Sequence, residues 1–91
     1  MSPRLTAREE NHVGGALRNS WVGSIGPAVD SFETLLSTHL GQETISVANG
    51  SVALISGLSV LEIGPGDEVL VPDLSCAGTA TSIIYTIHQY F

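Results

Sequence analysis

Ninety-one residues with 43% hydrophobic, 13% charged and 5% aromatic side chains describe one small aliphatic domain with a thin core, since short chains bury a smaller share of their surface. The formal net charge is −6 and the only Lys or Arg residues are Arg4, Arg8 and Arg18, so no nucleic-acid partner is expected, because phosphate backbones need a spread of cations. A single cysteine, Cys76, excludes an intrachain disulfide, no apolar run approaches the roughly 18 residues of a membrane helix, and the polar start at Met1 carries no leader pattern; a cytoplasmic protein with no membrane partner is expected.

Thr6-Ala7-Arg8-Glu9 has the form of a capping box and predicts a first helix, with Val13 and Leu17 on one face and Gly14-Gly15 costing about 2 kcal/mol of propensity. Asn19 to Gly26 reads as a loop around Trp21, which is either a packing anchor or an interface or substrate contact. Pro27 suits the first position of a second helix, in which Val29, Phe32, Leu35, Leu36 and Leu40 recur at helical spacing until Gly41 stops it. Asp30 and Glu33 fall in its early turns and His39 near its end, where the helix dipole gives each a structural role.

Ile45 to Ala48 predicts a buried strand, and Ser51 to about Leu61 a third helix that is apolar nearly all round. Gly64-Pro65-Gly66 supplies the proline and glycine of a type II turn, with Asp67 and Glu68 as solvated turn residues. Val69 to Val71 predicts a second strand, ended by Pro72, which would complete a βαβ unit with parallel strands. A fourth helix follows from Ser75 or Cys76 toward Tyr85, with Ala80, Ile83, Ile84 and Ile87 as its apolar positions. Residues 1–44 thus form a helical segment with a Trp-containing loop and residues 45–91 an incomplete α/β domain. Two strands and one apolar helix cannot bury themselves, which gives the chain the look of the front part of something larger.

Asn49-Gly50-Ser51 is a candidate anion site. The first amides of a helix lack intrahelical partners and the dipole places roughly half a positive charge there, so a phosphate needs no basic side chain. Plain helix capping explains the same residues. The expected strands end at this turn and at Asp73-Leu74-Ser75-Cys76, and ligands of open α/β sheets gather at such ends, which favours a site.

Trp21-Val22-Gly23-Ser24-Ile25-Gly26-Pro27, Val29, Phe32-Glu33, Gly41, Val47 to Leu54, Gly64 to Val69 and Val71-Pro72 together resemble the N-terminus of the DegT/StrS-type sugar aminotransferases, the perosamine synthase branch above all. The similarity runs from Leu5 to Tyr85 in one unbroken order. It implies an α/β fold, N-terminal helices plus one βαβ unit of a truncated fold type I large domain, and an N-terminal fragment of an enzyme that aminates nucleotide-linked keto sugars in amino-sugar biosynthesis. By the resemblance, pyridoxal 5'-phosphate is the cofactor, Gly50, Ser51 and Val52 meet its phosphate, and Cys76 lies over its ring where relatives place an aromatic residue; from the residues alone, Cys76 reads as a small buried core residue. Trp21 and Ser24 become substrate-side candidates in a homodimer that takes a nucleotide sugar and an amino donor. The family's cofactor-bonding lysine has no counterpart, because the chain contains no lysine, and no catalytic residue or metal ligand is expected. Thr86 to Phe91 departs from the Gly-rich turn of relatives, which suggests a truncation or a change of reading frame near Thr86. The reading of another class is a small non-catalytic anion-binding or interaction module.

Overall fold

Local capping chemistry sets the helices seen in the computed structural model, which describes residues 2–88. They are α1 (Ala7–Arg18), α2 (Pro27–Leu40), α3 (Gly50–Val60) and α4 (Ala77–His88). Thr6 caps α1: its Oγ1 accepts the Arg8 N–H at 3.3 Å, while the Glu9 carboxylate accepts the Thr6 N–H at 2.6 Å and the Thr6 hydroxyl. Those bonds from Thr6, the side-chain one first, hold the Glu9 carboxyl below its ordinary range. Thr6→Ala is expected to fray the first turn and cost about 1 kcal/mol, read as lost far-UV helical signal on thermal melting. Pro27 opens α2 and Gly41 closes it in the left-handed conformation, its N–H donating to the Ser37 carbonyl at 2.9 Å.

The chain divides into two units at Ser46–Val47. In the first, the Trp21 N–H donates to the Ala16 carbonyl at 2.9 Å and the indole lies against Gly26, itself buried; Trp21 remains 51% exposed. In the second, α3 and α4 pack against each other along Gly78, Ser82 and Thr86, four residues apart on one face of α4. Ser82 and Thr86 are fully buried. The Ser82 hydroxyl donates to the Gly78 carbonyl at 2.6 Å and lies 3.3 Å from the Ser51 carbonyl of α3; the Thr86 hydroxyl donates to the Ser82 carbonyl at 2.9 Å. Small residues let the two helices approach, and their hydroxyls bring their own acceptors. The expected apolar stripe of α4 is only partly used: Ile83 and Ile87 are half-buried, whereas Ala80 and Ile84 are exposed.

The expected βαβ unit is absent. All regular structure among the described residues is helical, so the α/β assignment is corrected to four helices without a strand. A strand exists only where a neighbour takes up its backbone N–H and C=O groups. Residues 45–48 and 69–71 make no backbone–backbone hydrogen bond of that kind among the described residues. Nor is Ile45 to Ala48 a buried segment. Within it only Ser46 is half-buried, as is Thr44 just before it, while Ile45 is 85% exposed. Leu70 in the other segment is 100% exposed.

The Gly64 to Asp67 turn does form, with Gly66 at φ 95° and the Asp67 N–H donating to the Gly64 carbonyl at 3.1 Å. Asp67 is more than a solvated residue, because its carboxylate accepts the Gly64 N–H at 2.8 Å and closes the turn from the other side. Of the segment from Thr86 to Phe91, α4 continues through His88, and Gln89 to Phe91 lie outside the described residues. No described helix is long and apolar enough to cross a membrane.

Candidate phosphate-binding site

The start of α3 is capped by Asn49, whose backbone is extended at φ −166°. Its Oδ1 accepts the Val52 N–H at 3.0 Å and its carbonyl accepts the Ala53 N–H at 3.1 Å. That leaves the Gly50 and Ser51 amides without an acceptor among the described residues, as the geometry of a helix start requires. Capping and anion binding are therefore compatible here, since the cap uses the third amide and leaves the first two. Val52, expected at the phosphate, spends its N–H on the cap.

An open cleft of about 550 Å³ adjoins these amides. Asn49, Gly50 and Ser51 form one side, with Ala53 and Leu54 behind them, and Cys76, Gly78 and Thr79 from the start of α4 form the other. A side chain at Gly50 would meet nothing within 4 Å, so the space above it is open to a ligand. The side chain of Ser51 is close-set, because a Cβ on Gly78 would stand only 2.7 Å from the Ser51 Oγ. Across the cleft, the Ser75 and Thr79 hydroxyls are hydrogen-bonded at 2.8 Å and the Thr79 N–H donates to the Cys76 carbonyl at 3.0 Å, which ties down the first turn of α4.

Cys76 is exposed and lines this cleft, which corrects its reading as a small buried core residue: it precedes the first residue of α4 and so escapes the α3–α4 seam. The structure thus places Gly50, Ser51 and Cys76 around one space. Neither Gly78 nor Thr79 was legible as a wall of it. Their only sequence signal is the Ser75–Thr79 spacing of one helical turn, which many helix starts share.

Among the described residues no charged side chain lines the cleft, and α3 has no acidic residue in its first turn to oppose an anion. The arrangement can hold anionic oxygens with two amides and a hydroxyl, aided by the helix dipole. It contains no basic group for proton transfer. Trp21 and Ser24 belong to the first unit, where Trp21 borders a smaller cleft of about 260 Å³ with His12, Ala16, Asn19 and Pro27, and Ser24 is exposed in the same loop.

Residues 3–89 match the DegT/DnrJ/EryC1/StrS aminotransferase family, and the chain belongs to that family. It is 35% identical over 85 residues to the GDP-perosamine synthase of Caulobacter vibrioides, covering 92% of this chain and 23% of the relative. It is 37% identical over 86 residues to the GDP-perosamine synthase of Escherichia coli O157:H7, covering 92% of this chain and 23% of that protein. Against the putative pyridoxal phosphate-dependent aminotransferase EpsN of Bacillus subtilis the identity is 32% over 84 residues, 91% of this chain and 22% of EpsN. The chain therefore spans less than a quarter of the length of these relatives, and it corresponds to their N-terminal portion. Members of the family use pyridoxal phosphate. No solved structure matches the chain.

Proposed function

We propose that this chain is the phosphate-holding N-terminal portion of a pyridoxal-phosphate-dependent aminotransferase acting on nucleotide-linked keto sugars. The observation that carries this reading is the pair of unsatisfied amides at Gly50 and Ser51, opening with the Ser51 hydroxyl into a cleft free of charged side chains. The donor set suits a phosphate, because each donor contributes an N–H or O–H and no carboxylate repels the dianion. It does not suit the aldehyde end of the cofactor, since the chain contains no lysine to bond it.

When bound, pyridoxal phosphate supplies an electron sink for carbanion chemistry. The residues of this chain bind and orient. The Gly50 and Ser51 amides and the Ser51 hydroxyl would hold its phosphate, Asn49 caps the helix through the Val52 N–H, and Cys76 lines the same cleft. Residues 1–44 would act as a helical segment and residues 45–91 as part of the cofactor domain, with Trp21 and Ser24 on the substrate side. The lysine, the carboxylate that pairs with the ring nitrogen, and the contacts to the sugar nucleotide and amino donor come from sequence outside this chain, in a homodimer. Alone, the chain binds without turning over; the absence of lysine is also what favours the second reading, an anion-binding module.

Titration of the chain with pyridoxal phosphate and with pyridoxal tests the site. Saturable binding of the first, displaced by inorganic phosphate and weakened about fivefold or more by Ser51→Asp, is expected, because a carboxylate a few ångströms from the phosphate costs about 1 kcal/mol or more. Equal binding of pyridoxal, or indifference to Ser51→Asp, would overturn the reading.

A further inference from the structure

The segment after α2 is held by side chains in place of a sheet. Oε1 of Glu33 accepts both the Ser46 backbone N–H and the Ser46 hydroxyl, each at 2.7 Å. Two residues earlier, the Thr44 hydroxyl donates to the Glu33 carbonyl at 3.1 Å, and the Ser37 Oγ accepts the Thr44 N–H at 3.0 Å and lies 2.8 Å from the Thr44 Oγ1. Thus α2 satisfies the N–H groups of alternate residues, 44 and 46, with the intervening Ile45 exposed. Only the bonds to the Glu33 carboxylate depend on ionisation.

We propose that Glu33 is a positioning residue: ionised, it clasps Thr44 to Ser46 against α2, and protonated, it releases Ser46. Ser46 is the last residue of the first unit, so the clasp holds the end of that unit against its own α2. An ionised carboxylate accepts charge-assisted bonds roughly twice as strong as neutral ones, and two of them converge on a single oxygen. Glu33 lines an open cleft along α2 whose other titratable groups are Asp30 and Glu43, both acidic, and no cation among the described residues lines it. The bonds from Ser46, the backbone one first, hold the Glu33 carboxyl below its ordinary value of 4.5. The clasp is therefore complete above that ordinary value and is lost as pH falls through the lowered one.

Nuclear magnetic resonance of the whole chain tests this, following the Ser46 amide proton and the Glu33 carboxyl carbon as pH is lowered from neutral. Both signals are expected to titrate together, with a midpoint below 4.5. Glu33→Gln, neutral like the protonated carboxyl, should leave the Ser46 amide at its low-pH shift and abolish its pH dependence; Glu33→Ala should lose the neutral-pH shift at every pH. Ser46→Ala, which retains the N–H, should move the Glu33 midpoint partway back toward the ordinary value. The proposal falls if the Ser46 amide follows Asp30 or Glu43, or if it keeps the same pH dependence in Glu33→Gln. Should Glu33→Ala fail to fold, the Gln and Ser46 variants decide alone.

Discussion

Gly78→Val is expected to lower the stability of the second unit by about 1–3 kcal/mol, the usual cost of forcing extra carbon into a close helix contact, and to abolish saturable phosphate binding. Gly78 sits in the first turn of α4, where a Cβ would come within 2.7 Å of the Ser51 Oγ. Alanine provides the informative comparison. Its single methyl group can be accommodated by rotating the Ser51 hydroxyl, and helix propensity returns part of the roughly 1 kcal/mol that separates alanine from glycine in a helix interior. Gly78→Ala should therefore leave urea unfolding almost unchanged while displacing the hydroxyl and weakening binding. Valine branches at the same carbon, so rotation of one hydroxyl cannot clear it and α3 must shift from α4. The fully buried side chains of the seam are the small polar Ser82 and Thr86, which leave little slack for that shift. Urea unfolding followed by far-UV circular dichroism, together with a pyridoxal phosphate titration, reads both effects. Wild-type behaviour of the valine variant on both counts would show that the α3–α4 seam controls neither.

The helices were legible because what starts and stops them is local. Thr6 with Glu9, Pro27, Gly41 and Asn49 each act within a few residues of the boundary they set, and α2 runs from Pro27 to Leu40 as its spacing predicted. The lack of strands was not legible, because β-branched residues such as Ile45 and Val47 express a preference for being paired and say nothing of whether a partner is present. The seam of the second unit was missed for another reason. Apolar periodicity directed attention to Ala80, Ile83, Ile84 and Ile87, of which Ile83 and Ile87 are half-buried, but the fully buried residues are Ser82 and Thr86, whose hydroxyls can be buried because they donate to carbonyls within reach on their own helix.

The candidate site divides along the same line. Gly50 and Ser51 were readable from the helix start alone, because unsatisfied amides follow from helix geometry whatever surrounds them. That Cys76 shares a cleft with them depends on how α4 lies beside α3, and that packing rests on contacts between Ser51 and residues 27 and 31 positions later. Glu33 shows the same limit. Its place in the first half of α2 suggested a dipole role, whereas its carboxylate is engaged by Ser46, thirteen residues on. Side-chain partners at that separation leave no periodic trace.

Gly26→Ala is expected to be the most damaging single-methyl change in the first unit, at about 2 kcal/mol or more, because two costs act in the same direction. Gly26 has φ 148° and ψ 171°, a region that is almost closed to residues with a Cβ. The added methyl would also stand 2.7 Å from Cε3 and 3.3 Å from Cδ2 of Trp21. Those atoms belong to a rigid fused ring, so relief requires the whole indole to leave Gly26. No apolar side chain is fully buried among the described residues, so little else holds this loop in place. Tryptophan fluorescence should therefore move toward that of a solvated indole as the unfolding midpoint falls. Gly23→Ala is the control, since a methyl there meets only the Ile25 nitrogen at 4.0 Å and should change neither reading. Combining Gly26→Ala with Trp21→Ala separates the two costs. Removing the indole abolishes the clash and leaves the backbone strain, so the double variant should lose less than the sum of the singles. Strict additivity would mean that the ring does not rest on Gly26, and that strain alone makes glycine necessary there.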